Sequence, residues 1–306
     1  MKHLNQKHRS LVGLIISLLI ISFGIISCQN ATEPSTTNPV YQHQIAQENL
    51  LNNIHSYSTE FLSSHTQDST LSRSIFRDFW TAVRSDFSWP SSYHFFNGDF
   101  WITIIVNVGT SHDTWVKLRH QDMVLNSLPS NYQASLDSLL EYYVLHAEET
   151  ILGKNKYNYG ALHNILLLQE IKDDSFSSTN LSYRVKHDIN KLKEYKISTS
   201  DQKVDSIVLE INHFMNDIYT EDAKQLYKNI IAENSQLTYE ISVLEQYNNY
   251  VSTLSSIPDI KEYTTTIINT IYNSEIDYSQ KEFLIQSLYI AECSADFWHT
   301  IDSFSN

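Results

Sequence analysis

Phe100-Trp101-Ile102-Thr103-Ile104-Ile105-Val106 decides the fold class of this chain. The run is β-branched, aromatic and short, so its local preference suits a strand and the middle of a buried helix alike. A strand needs a partner, and no second run in the sequence offers a convincing one. The run is therefore expected to be a buried helix and the chain all-α, an irregular multi-helix bundle. Composition points the same way. With 6 glycines and 5 prolines in 306 residues, repeated hairpins and glycine-rich phosphate loops, which need residues at positive φ, are disfavoured.

Working outward, apolar residues recur at three-four spacing over most of the chain. Ile45, Leu50, Ile54, Tyr57 and Phe61 form one stripe, and Leu71, Ile75, Phe79, Val83 and Phe87 a second that stops at Trp89-Pro90. Helices are expected over His112 to Leu128, Ser135 to Leu152 with Gly153 as its stop, Gly160 to Ile171, Ser182 to Tyr195, Asp201 to Tyr219 with Ser200 as cap, and Thr220 to Glu233. Leu237 to Leu254, Ile260 to Tyr272 and Ser279 to Ile301 complete the set. The last opens on Ser279-Gln280-Lys281-Glu282, a match to the capping box, and carries Leu284, Leu288, Ala291, Ala295 and Trp298 on one face. The polar, lysine-rich segment 172–200 is the candidate internal boundary.

The N-terminus reads differently. Lys2, Lys7 and Arg9 precede an apolar run from Leu11 to Ser27, the layout of a secretory signal. Its end, Ile25-Ile26-Ser27-Cys28, resembles the lipobox of bacterial lipoproteins, in which cysteine follows the cut and becomes the acylated first residue. The resemblance implies a signal peptide over 1–27, lipid attachment at Cys28, a thioether-linked diacylglyceryl group commonly joined by an N-acyl chain such as palmitate, and lasting attachment to the membrane. Two acyl signals hold a protein where one is marginal. Gln29, rather than aspartate, after the cysteine implies the outer membrane by envelope sorting rules. Residues 28–40 are polar and contain proline, reading as a flexible tether to a helical domain over 41–306.

Removal of residues 1–27 leaves 18 basic against 35 acidic residues, a net charge of −17. Such a chain repels nucleic-acid phosphates, so no nucleic-acid partner is expected. With Cys28 lipidated, Cys293 has no partner for an internal disulfide and reads as a small core residue in register with Ile290 and Phe297.

Motifs that carry chemistry are sparse. A di-metal centre in a helical bundle needs two Glu-x-x-His pairs with two further glutamates. Glu210-Ile-Asn-His213 fits once and Asp296-Phe-Trp-His299 loosely, no more than chance supplies, so no metal and no cofactor is expected. There is no Gly-x-Ser-x-Gly elbow, and Ser200-Asp-Gln-Lys203 lacks the companion motifs of penicillin-binding enzymes. Glu141, Glu148, Glu149 and His146 make an acid-base set only if they share a face; as a helix they read as a solvated one. Trp80, Trp89, Trp101 and Trp115 are either a stacking surface for a glycan or peptide or core residues.

Gly160-Ala161-Leu162-His163-Asn164, with the small-residue stretch Ala291-Glu292-Cys293-Ser294-Ala295-Asp296-Phe297-Trp298, resembles a loosely defined group of uncharacterised bacterial envelope lipoproteins. The resemblance brings no activity, but it draws attention to His163 and Asn164, a polar pair opening an apolar helix. They are candidate binding residues; the alternative is a buried histidine serving local structure. The expected function is a lipid-anchored binding or structural interaction module of the bacterial envelope, its partners the membrane and an envelope protein or ligand. The rivals are a hydrolase whose residues converge only on folding and a glycan- or peptide-binding lipoprotein.

A fatty-acid analogue fed to the producing cells should label the full chain and leave Cys28→Ala unlabelled. Equal labelling of both would remove the anchor.

Overall fold

In the computed structural model the described residues are 39–64, 99–119, 130–172, 180–220, 238–254 and 256–302. The expectations for the signal, Cys28, the tether before residue 39, the helices at 71–87 and 220–233, and Trp80 and Trp89 lie outside them. The chain divides into two units, residues 1–48 and 49–306. The described part of the first is the opening of helix α1 (Pro39–Ser64), with proline in the first turn, where its missing N–H costs nothing.

Among the described residues the second unit is all-α apart from one hairpin. After α1 come α2 (Phe100–Arg119), α3 (Ser130–Leu145), strands β1 (Glu148–Ile151) and β2 (Lys154–Tyr157), α4 (Tyr159–Lys172) and α5 (Leu181–Glu194). A 3-10 turn at Asp201–Lys203 leads into α6 (Val204–Thr220), followed by α7 (Thr238–Val251), α8 (Ile257–Asn273) and α9 (Tyr278–Asp302). The ambiguous run at 100–106 is helix. Every residue from Trp101 to His112 is buried, so this stretch of α2 is covered on all sides and shows no polar face, the pattern of a core helix.

The centre is α4, with 12 of its 14 residues buried. It packs most extensively on α9, then on α3, α2 and α5, while α8 lies along α9 and α6 along α2 and α5. The stripe Leu284, Leu288, Ala291, Ala295 and Trp298 on α9 is buried, with Phe297 edge-on to Trp298. Leu284, Leu288 and Phe297, withdrawn from water, each contribute about 1.5–3 kcal/mol. A second cluster forms where Tyr57, Phe61, Tyr247 and Tyr263 stack. Its phenols are satisfied inside: Tyr263 pairs with Ser58 at 2.7 Å and Tyr247 with Thr264 at 2.8 Å.

Four local readings are corrected. The helix expected to run to Leu152 ends at Leu145, and residues 148–157 fold back as an antiparallel hairpin. Its two-residue turn has φ of 51° at Leu152 and 74° at Gly153, the left-handed pair that right-twisted strands demand. Gly153 is thus a hairpin residue, not a helix stop. The helix placed from His112 is a continuation of α2, which passes straight through Gly109. Ser279 lies inside α9 instead of capping it: the Lys281 amide bonds the Asp277 carbonyl, and Glu282 is drawn away to Lys156. Ser200 stands at the N-cap of the 3-10 turn without making a side-chain cap. Within segment 172–200, α5 buries Val185, Ile189 and Leu192 in the same unit as its neighbours, capped by Asn180.

Gly160 sets how close α4 comes to α9. A Cβ there would overlap the backbone carbonyl of Tyr289 and come within 2.9 Å of Cys293 Sγ. At Gly109 the obstacle is the tip of a side chain, Ile211 Cδ1, 2.5 Å away. Backbone cannot yield and a rotamer can, so Gly160→Ala should destabilise by about 1–3 kcal/mol. Gly109→Ala, offset by better helix propensity, should change stability by less than about 1 kcal/mol. Denaturant melts of both variants check the ranking.

Candidate functional site

Three groups of polar side chains stand out, two inside the bundle and one on its surface. The first holds the residues singled out by sequence. His163 and Asn164 sit in the second turn of α4 and have no exposed surface. Asn164 Nδ2 donates to the Cys293 carbonyl on α9 at 2.7 Å, which fixes its Oδ1 as the acceptor facing His163 Nδ1 at 2.8 Å. His163 Nδ1–H then donates, and Nε2 meets Ser111 Oγ of α2 at 3.3 Å. The pair thus ties the central helix to α9 and α2 through groups that would be costly if left unpaired. Burial pushes the imidazole down to about 4, only partly opposed by its bonds to Asn164 and the Asn107 carbonyl, so the ring is neutral at ordinary pH.

Further along the same helix, α2, α4 and α5 enclose a group that motif reading missed. Glu170, Arg184, Asp188 and His112 are each 1% exposed. Arg184 of α5 pairs through Nη2 with Asp113 of α2, and His187 Nδ1 lies 3.3 Å from Asp188. Among the described residues, Arg184 Nε and Nη1 and both oxygens of Glu170 have no hydrogen-bond partner. Burial pushes both carboxyls up, Asp188 to about 8 and Glu170 well above its usual range. The signal was present in the sequence as charged residues at Glu170, Arg184 and Asp188 on otherwise apolar stripes, spaced to face one helix seam.

The third group is a pocket of about 360 Å³ beside the hairpin, within the size range of small-ligand sites. Phe100 and Tyr159 form its apolar side, stacked at 4.7 Å with planes 6° apart. Lys156 of β2, ion-paired with Glu282 of α9, Glu148 and Asn155 supply the polar side. The lining is rigidly held. Buried Gln286 accepts from the Tyr159 amide at 3.0 Å and donates to the Tyr157 carbonyl at 2.8 Å. Asn158 caps α4 through the Ala161 amide at 3.0 Å and reaches Glu149 of β1 at 3.2 Å. Hairpin, central helix and α9 therefore meet at one set of bonds. Sequence reading could not find this pocket because it took 148–152 as helix.

The remaining expectations disperse. Trp101 is 3% exposed and belongs to the core, not a stacking surface; the side chain of Trp115 lies outside the described residues. Glu141 is on α3 whereas Glu148 and Glu149 are on β1, and His146 folds back on Tyr142, so they share no helical face. Asp296 is bound to Lys261 at 2.8 Å, and His213 and His299 are exposed on separate helices. Among the described residues, no three His, Cys, Asp or Glu side chains converge on a metal position. Glu292 of α9 is pushed up to about 7 by burial and by Asp296 and Glu149, against the opposing pull of Lys261. Burial pushes the Cys293 thiol well up, away from the thiolate that reacts.

His163 gives a pH dependence of definite sign. Its ordinary value is 6.5 and its folded value about 4. The folded state favours the neutral ring, so its contribution is complete above the unfolded value and is lost as pH falls toward the folded one. Between about pH 7 and about pH 5 the loss is roughly 2 kcal/mol. Glu170 and Asp188 slope oppositely, so the quantity to measure is the difference between wild type and His163→Gln: the variant, less stable at neutrality, should lose less on acidification.

Comparison with known proteins supplies no family: no family model, no curated protein and no solved structure matches the chain.

Proposed function

We propose that this chain is an envelope-anchored helical binding module, held to a bacterial membrane through lipid on Cys28 and binding its ligand at the hairpin pocket. The anchor rests on the basic start, the apolar run and the Ile-Ile-Ser-Cys ending. No described helix is long and apolar enough to cross a membrane.

The observation that carries the binding role is the pocket's mixed lining: an aromatic side, a charged and amide rim, and walls locked by Gln286 and Asn158. That lining suits a small polar ligand with one apolar ring face, a sugar ring or the aromatic side chain of a peptide. Lys154 and Lys156 lie 4.4 and 5.3 Å from the Tyr278 ring centre, which gives the rim an extended cationic edge. His163 and Asn164 belong to this function as positioning residues, because they hold the helix whose first residue lines the pocket.

The hydrolase reading attaches to a different place, Glu292, whose carboxyl near neutrality is suited to proton transfer. Amide chemical shifts of the protein from residue 41 to 306, with soluble envelope-glycan oligosaccharides and short aromatic peptides added in turn, separate the two. Binding here predicts shifts confined to the hairpin, Phe100, Tyr159 and the start of α9, and affinity at least about tenfold weaker in Lys156→Ala. Shifts centred on Glu292, or turnover of either probe, would favour the hydrolase. No shift with either class would remove the pocket as the ligand site.

A further inference from the structure

The hairpin keeps opposite charges apart. Its register sets Glu148 against Tyr157 and Thr150 against Asn155, with Glu149 against Lys156 and Ile151 against Lys154. Cross-strand partners share a face and successive residues alternate, so Glu148, Asn155 and Tyr157 belong to one face and Lys154 and Lys156 to the other. The hairpin pocket runs along β2, taking Asn155, Lys156 and Tyr157 in succession, and thus receives side chains from both faces. On the acidic face, among the described residues, no hydrogen bond or ion pair engages the Glu148 carboxylate or the Asn155 amide, and both residues are exposed. On the basic face Glu282 takes one of the three N–H groups of Lys156, whose side chain is 25% exposed, and Lys154 lies over the Tyr278 ring at 4.4 Å. Both lysines keep donors for a further acceptor.

Charge balance narrows the ligand. Glu148 and Glu282 offset Lys154 and Lys156, a local neutrality in a chain with 21 basic against 35 acidic residues. A ligand of one sign would be drawn to one face of the hairpin and repelled by the other. A ligand with an ammonium at one end and a carboxylate at the other meets an opposite charge at both, in a recess where attraction is screened less than at an open surface. A neutral sugar ring uses neither charge. In a single amino acid the two charges flank one carbon, whereas groups on opposite faces of a strand stand further apart; a second residue adds about 3.5 Å of reach. The pocket, about 360 Å³, is near the small end of ligand sites, which favours two residues over a longer chain.

Taking the hairpin pocket as the ligand site, on which this step rests, we propose that it binds a dipeptide with both ends free. The ammonium donates to Glu148 and the Asn155 side-chain oxygen, and the carboxylate accepts from Lys156 and Lys154. An aromatic side chain lies on the parallel rings of Phe100 and Tyr159.

The test is calorimetric titration of the full-length protein, held in detergent, with glycyl-tyrosine and tyrosyl-glycine. Each is used with free ends, N-acetylated, C-amidated and blocked at both ends, so that the body is constant and only the charges change. For at least one of the two sequences the free form should bind at least about tenfold more tightly than either singly blocked form, the scale of one charged hydrogen bond. Glu148→Gln, a change at an exposed side chain, should reduce the preference over the acetylated form severalfold and keep the preference over the amide. Lys156→Gln should do the reverse, and Lys154→Gln, which leaves the bond to Glu282 intact, should do so in the same direction. Equal affinity for the free and doubly blocked forms overturns the inference while leaving the pocket as the site of an uncharged ligand. An end preference unmoved by Glu148→Gln and by both lysine variants overturns it as well. Binding of none of the dipeptides also overturns it; glycan oligosaccharides that still shift the hairpin amides would then keep the pocket as a binding site, and their failure would remove both.

Discussion

The fold hangs on the close approach of α4 to α9 at Gly160. With no side chain there, the backbone of Tyr289 can lie against α4, and the distance so set allows Asn164 to reach the Cys293 carbonyl. That bond anchors Asn164, which orients His163, which meets Ser111 on α2. One missing Cβ thus places three helices, and the order of these steps explains how His163 and Asn164 are buried without being stranded. The same crossing puts Gln286 opposite the start of α4, where it binds the strand end and the helix start together.

Apolar burial is generous in this bundle, so its stability does not require charged residues at its centre. Replacing buried ion pairs by apolar side chains of similar volume is often neutral or favourable, which makes the group at Glu170, Arg184 and Asp188 a cost carried for another reason. Specificity is one: a helix uniformly apolar on every side, as α4 nearly is, could rotate or slide against its neighbours with little penalty. His163 and Asn164 each have a defined counterpart, and only one rotation of α4 satisfies both.

Much of the helical architecture was legible in the residues. The run at Phe100 is helix because no strand could pair with it, and α4, α5, α7 and α8 lie within a few residues of where the three-four spacing puts them. The hairpin was hidden for a physical reason. Ala147 and Ile151 continue the helical spacing of α3, and the turn places leucine, a residue rarely held at positive φ, ahead of its glycine. The capping box failed because Glu282 finds a stronger partner across space, in Lys156, than along its own helix. The pocket follows from the hairpin and was lost with it. His163 and Asn164 were visible as polar residues in an apolar stretch, but which way they faced depended on a helix crossing that no local pattern encodes.

Cys293 shows a further use of the Gly160 crossing. Its sulfur rests against the glycine, and burial suppresses its ionisation, which keeps it from the thiolate form that attacks other sulfurs. The glycine thereby acts as a shield against covalent cross-linking as well as a spacer. Disturbance of that contact would open the sulfur to oxidation, so damage by oxidation and loss of packing would arrive together, at a single residue.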